Sequence, residues 1–166
     1  MEIDLMERKT LILLKGALIA FLILTSIMIP NRAMAEAQKM AGIEVSTNKT
    51  NYSPGEKVKI SIKATNNSKE EISTYYSSSQ KYDLVITDKN GKEIWRWSHG
   101  KMFLMAIYPF RLKPKESIKF NYTWDQRDNS GRQVKAGEYH IKGELVIAPR
   151  LISRERTFNI TKGSKE

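Results

Sequence analysis

Few side chains in this 166-residue chain are of types that perform covalent or metal chemistry. Cysteine is absent, which excludes thiolate nucleophiles, thiolate metal sites and disulfides together. His99 and His140 are the two histidines, and neither has an acid or a serine at a spacing that would suggest a nucleophilic triad. Asp83, Asp88 and Asp125 form no matched acid–base pair, and no glycine-rich loop could cradle a phosphate. Asp125, Asp128 and Asn129 come nearest to a metal motif, with oxygen atoms three and four residues apart. They lack the alternate-position acids and closing glutamate of a calcium loop, and ahead of Gly131 such side chains are better suited to bonding the backbone of a tight turn. The expectation is a protein without catalytic residues, cofactor or metal.

Side chains that could make contacts are more plentiful. Ser98, His99, Gly100 and Lys101 combine glycine with polar residues, as at a loop tip, and form the candidate partner-contact loop. Trp95 and Trp97 lie two apart, so on a strand they share one face with Arg96 opposite. An exposed aromatic pair could grip a partner or a sugar. Burial beside Trp124 is the preferred reading, because tryptophan is a common anchor in β-sheet cores. Met102 to Ile107 is six apolar residues in a row and is read as an interior strand.

The elements that must position these residues are strands. Val58, Ile60, Ile62 and Ala64 alternate with Lys57, Lys59, Ser61 and Lys63, giving one face to a core and one to water. A turn at Ser53-Pro54-Gly55-Glu56 precedes them. Ile72 to Tyr76 is a short strand, and Tyr82 to Thr87 reads as one covered on both faces. Asn90-Gly91 makes a hairpin to Ile94–Ser98. Ile118, Phe120, Tyr122 and Trp124 share a face; Tyr139, Ile141, Leu145 and Ile147 do likewise, with Gly143 easing a bend or bulge. Phe158 and Ile160 close the set. With no helical apolar spacing after Ala35, seven to nine short strands imply an all-β, immunoglobulin-like antiparallel sandwich.

The amino terminus reads differently. Basic residues lead into an apolar run from Gly16 to Pro30, and Ala33-Met34-Ala35 places small residues at both specificity positions of a signal peptidase site. Residues 1–35 are therefore expected to be a cleaved signal peptide and the protein secreted; the alternative is an uncleaved membrane anchor, for which the run is short. The remaining expected divisions are a flexible lead over 36–42, a domain over 43–161 and a disordered tail over 162–166. With 28 basic and 18 acidic residues, the formal net charge of +10 favours acidic partners. Nucleic acid is disfavoured, because the basic residues lie on alternate strand positions rather than in one stripe.

Several segments together resemble the BsuPI family, whose founding member inhibits an intracellular subtilisin-like serine proteinase. They are Ser79-Gln80-Lys81-Tyr82-Asp83, Gly91 through Trp95-Arg96-Trp97-Ser98 to Met102-Phe103, Leu112-Lys113-Pro114, Trp124-Asp125, and Gly137-Glu138-Tyr139. The stretch from Trp124 to Gly131, with Gly137-Glu138-Tyr139, is also similar to a hairpin in the immunoglobulin-like domain of bacterial flagellar hook-capping proteins. Within the family signature, Trp95, Trp97, Met102, Phe103, Trp124, Asp125, Gly137 and Tyr139 are expected to be structural. The resemblance implies a non-catalytic, protein-binding inhibitor of a subtilisin-type proteinase, extracellular if the export signal operates. It also gives Met102-Phe103-Leu104-Met105 an alternative role as a proteinase-facing loop, since such enzymes accept large apolar side chains. A second functional reading is an envelope assembly or adhesion module. The family usually has Pro-Gly-Glu where this chain has Pro114-Lys115-Glu116, so this turn is expected to avoid positive φ.

Overall fold

Alternation at period two governs the chain from Ala41 onward. In the computed structural model, which describes residues 41–162, every regular element is a strand. These are β1 (Ala41–Thr47), β2 (Asn51–Tyr52), β3 (Val58–Asn66), β4 (Ile72–Tyr76), β5 (Tyr82–Asp88), β6 (Glu93–Arg96), β7 (Tyr108–Leu112), β8 (Ser117–Trp124), β9 (Gly137–Leu145), β10 (Leu151–Ile152) and β11 (Arg156–Ile160). Eleven strands exceed the seven to nine expected, and the two-residue β2 and β10 account for the excess. Ala41 and Gly42, read above as the end of a lead, belong to β1, where Ala41, Ile43 and Val45 are buried. The signal segment with Ala33 and Ala35 lies outside the described residues.

The strands form three sheets: β1-β3-β8, then β2-β11-β9-β5-β6 with β10 alongside β9, and the pair β4-β7. Pairing is antiparallel except between β11 and β2, which run parallel through Asn159↔Asn51 and Ile160↔Tyr52. Val58, Ile60, Ile62 and Ala64 of β3 are all buried, and between them Lys59 and Lys63 face water. Their counterparts in the second sheet are Leu84, Ile86, Ile141 and Leu145.

Gly143 marks a close approach between these layers. Its strand keeps register there, with Leu84↔Gly143 inside an unbroken ladder, so the expected bend or bulge is absent. The reason for glycine is space. A Cβ at this position would come within 2.9 Å of Ile62 Cγ1 and 3.3 Å of Val45 Cβ, both in the facing sheet.

Two turns depart from expectation. Lys115 takes φ 66°, the left-handed conformation that the loss of glycine was expected to prevent. The surroundings hold it there: its N–H donates to the carbonyl of buried Asn66 at 3.0 Å, and the Glu116 N–H closes the turn onto the Lys113 carbonyl at 3.0 Å. A side chain in this region is disfavoured by contact between Cβ and the backbone. Lys115→Gly should therefore raise stability by about 0.5 kcal/mol, the strain relief being partly offset by a more flexible unfolded chain. Differential scanning calorimetry would show this as a higher melting temperature.

The second departure concerns Met102 to Ile107. This run is not an interior strand but a loop, and the strand that follows, β7, begins only at Tyr108. The outer edge of β6, which ends its sheet, is already occupied. Asn129 donates its N–H to the Ile94 carbonyl at 3.1 Å, and its side-chain oxygen accepts the Arg96 N–H at 2.9 Å. One asparagine thereby covers the exposed polar groups of the edge strand, as edge strands require.

Candidate functional site

The loop between β6 and β7 is built from two consecutive turns and an extended apolar segment. The His99 N–H donates to the Arg96 carbonyl at 3.1 Å and the Lys101 N–H to the Ser98 carbonyl at 3.0 Å, with Gly100 at φ 70°. Beyond the turns, Met102 is 98% exposed, Leu104 72%, Met105 88% and Ile107 75%. Among the described residues only Tyr75 joins them as an exposed large hydrophobic. Apolar side chains gathered on one loop and facing water mark a contact surface.

This loop is tied at two points to one segment, Ser79 to Asp83. Asp83 is buried, and its carboxylate accepts the Ser98 N–H at 3.1 Å, the Ser98 hydroxyl at 2.6 Å, the Leu84 N–H at 2.8 Å and Arg96 Nη1 at 3.1 Å. Arg96 also reaches Glu93 at 2.8 Å, and this bond, more than Asp83, holds its guanidinium in the charged form against partial burial. At the second point, the Ser79 N–H donates to the Leu104 carbonyl at 3.0 Å while the Leu104 N–H donates to Ser79 Oγ at 3.0 Å.

Between these ties the loop rests on aromatic rings. Phe103 stacks on Trp97 with centroids 5.9 Å apart, and Trp97 leans on Tyr82 at 4.4 Å, which stacks on Phe120 at 4.7 Å. The Lys101 ammonium sits 3.4 Å from the centroid of Trp97, a cation over an aromatic face. Burial lowers the Lys101 pKa, opposed by the negative charge of Asp83. The phenols of Tyr82 and Tyr122 are pushed up, chiefly by burial.

Ser98, His99, Gly100 and Lys101 form the turns that lead into the exposed apolar residues, and His99, Gly100 and Lys101 are exposed with them. Trp95 and Trp97 are half-buried and packed against the core: Trp95 lies 5.3 Å from Tyr122 and 6.0 Å from Trp124. Trp124 is fully buried and its indole N–H donates to the Arg127 carbonyl at 2.8 Å. Tyr139 is buried against it, Gly137 opens β9, and Asp125 is exposed. Asp128 serves the turn as expected, its carboxylate accepting the N–H groups of Ser130 at 2.8 Å and Arg132 at 3.0 Å. Backbone bonds to Arg132 first, then to Ser130, lower its pKa. Among the described residues no acidic or histidine cluster could hold a metal ion.

Sequence reasoning missed the roles of Ser79 and Gln126. Gln126, buried at φ 61°, accepts the Gly55 N–H at 2.8 Å and donates to the carbonyls of Ser53 at 2.9 Å and Glu56 at 2.7 Å, tying two distant turns together. No local pattern announces such a residue. Ser79 stands in a segment picked out by resemblance, but its partner lies 25 positions away.

An all-β scaffold that holds an exposed apolar loop at two points defines a class of proteins that act by contact. Within that class the chain belongs to the BsuPI family: the family model described as intracellular proteinase inhibitor matches residues 45–150. A family of inhibitors points to a non-catalytic protein whose partner is a proteinase. The match also corrects the reading of a secreted or membrane-anchored protein, because the family is described as intracellular. No helix among the described residues is long and apolar enough to cross a membrane.

No curated protein matches the chain. Similar solved structures include a β-glucosidase from Erythrobacter marinus (13% identity, TM-score 0.43, covering 73% of this chain and 15% of that one). Others are the alkylpurine DNA glycosylase AlkC of Pseudomonas fluorescens (12%, 0.44, 74% and 30%) and the sporulation control protein Spo0M of Bacillus subtilis (17%, 0.43, 76% and 50%). The chain thus spans half or less of each of these, and likeness at this level has no bearing on activity.

Proposed function

We propose that the protein inhibits a subtilisin-type serine proteinase by placing the loop from Ser98 to Ile107 in the enzyme's cleft. The scaffold is an immunoglobulin-like sandwich, and its role is to keep that loop in one shape. The observation that supports the reading is the pairing of opposites within ten residues. Large apolar side chains point into water, while the backbone that carries them is tied at Ser98 and at Leu104. A loop already ordered loses little conformational entropy on binding, so more of its contact energy appears as affinity. Apolar side chains suit the large hydrophobic pockets of such enzymes, and burying them on binding recovers the cost of their exposure.

Titration of a subtilisin-type proteinase with the full chain tests this. Activity should fall linearly and reach zero near one equivalent, and moderate salt should not reverse it, since the contact is apolar. Full proteinase activity in the presence of a large excess of the folded chain would overturn the proposal.

A further inference from the structure

We infer that Met102 is the side chain that enters the enzyme's primary pocket, and that the Met102–Phe103 bond is offered for attack in a loop that can be cut and resealed. The inference rests on the inhibitory reading above and gives it a specificity-determining residue.

A residue in the primary pocket needs a free side chain and a free backbone, between neighbours that cannot move. Met102 meets the first condition best among the loop's apolar residues, being 98% exposed. Its neighbours meet the second. On one side the Lys101 ammonium is docked on the Trp97 ring at 3.4 Å, and Ser98 is tied to Asp83 by both its N–H and its hydroxyl. On the other side Phe103 stacks on the same Trp97, and Leu104 is tied to Ser79.

The alternatives fail on the same conditions. Leu104 has its N–H and its carbonyl engaged by Ser79, so neither is available to an enzyme backbone or oxyanion hole. Phe103 has given its ring to Trp97. Met105 is exposed but follows the Leu104 tie, and the next strand begins only at Tyr108.

The reaction this geometry permits is reversible. The proteinase serine oxygen attacks the Met102 carbonyl carbon, its proton passing to the enzyme's histidine. The C–N bond to Phe103 then breaks, and the same proton goes to the departing Phe103 nitrogen. In an ordinary substrate that amine diffuses away and water hydrolyses the ester. Here Trp97 and Ser79 hold the Phe103-Leu104 end beside the ester, so the amine attacks again and reforms the peptide bond. When water does intervene, one water molecule is consumed, and the resulting Met102 carboxylate and Phe103 ammonium remain on one scaffold.

The test incubates the full chain with a substoichiometric amount of a subtilisin-type proteinase and follows cleavage by mass spectrometry. A single cut after Met102 is expected, with both fragments remaining together and the cut protein still inhibiting. Met102→Lys should weaken inhibition of the subtilisin-type enzyme by roughly a hundredfold and introduce inhibition of a trypsin-type enzyme. Met105→Lys, in the same loop but outside the primary pocket, should weaken inhibition far less, by about tenfold, and should introduce no inhibition of a trypsin-type enzyme. Because both side chains face water, thermal unfolding should be unchanged in each variant. Inhibition by Met102→Lys equal to that of the unaltered chain, or a first cut after Leu104 or Met105, would overturn the assignment while leaving the inhibitory function standing. A chain that inhibits yet stays uncut after prolonged incubation would overturn the resealing step. Failure of the unaltered chain to inhibit would remove the functional reading along with this one.

Discussion

Replacing Trp124 with alanine should lower the free energy of unfolding by about 4 kcal/mol, the largest effect of any single truncation considered. Trp124 ends β8 with 1% of its surface exposed. Its ring lies edge-on to Phe158 at 6.1 Å and to Tyr139 at 6.3 Å, and tilted against Trp95 at 6.0 Å. Truncation therefore opens a cavity where β6, β8, β9 and β11 meet. It also strips the Arg127 carbonyl of the indole N–H that it accepts. Trp124→Phe separates the two contributions, since it keeps much of the ring volume and loses the hydrogen bond. It should cost about 1–2 kcal/mol. Denaturant unfolding of both variants checks the pair. A Trp124→Ala protein as stable as its parent would show that the ring is not the keystone its burial implies.

Asp83→Ala should cost about 3 kcal/mol, and it should weaken inhibition by more than that loss of stability alone would cause. The carboxylate is 2% exposed and accepts four hydrogen bonds, two of them from Ser98. Its removal leaves the Leu84 and Ser98 donors without their acceptor. Arg96 suffers less, because it is partly exposed and keeps Glu93. The variant should melt roughly 10 °C lower than its parent. At a temperature where both are folded, it should be cut by the proteinase as an ordinary substrate. Asp83→Asn, which retains one acceptor oxygen for backbone donors, should fall between the two. Comparing cleavage rates at equal folded fraction isolates loop tethering from stability. Inhibition by folded Asp83→Ala at the level of the unaltered chain would show that the loop keeps its shape without this tie.

Several strands were legible because one face meets water, though β1 and β7, which share that pattern, were not. Alternation in β3 and β8, and the Asn-Gly hairpin joining β5 to β6, express purely local physics, and the structure follows them apart from one register shift in the hairpin at Ile86–Thr87. β1 was hidden by its setting behind a polar lead, although Ala41, Ile43 and Val45 carry the same alternation. The run from Met102 to Ile107 misled for an instructive reason. Apolar composition implies burial only if some element is free to cover it, and the bonding groups of β6 at Ile94 and Arg96 are taken by Asn129, nearly thirty residues further on. The Lys115 turn was misjudged for a similar reason. Its conformation is imposed by Asn66, a buried residue on another strand, rather than by the turn's own residues. Of the candidate site, the turn at Ser98 to Lys101 was legible from composition. The ties that hold it were not, because Ser79 and Asp83 act across the fold.

The tethers and the exposed tip occupy different stretches of the gene. Ser79 and Asp83 are encoded upstream of the residues they hold, and the loop groups they bond belong to Leu104 and Ser98 rather than to Met102. Codons for the tip can therefore drift or be selected anew without disturbing the anchors, so a lineage could follow a changing enzyme by altering one or two positions. The same separation makes position 102, between the docked Lys101 and the stacked Phe103, a workable place for exchanging one side chain for another.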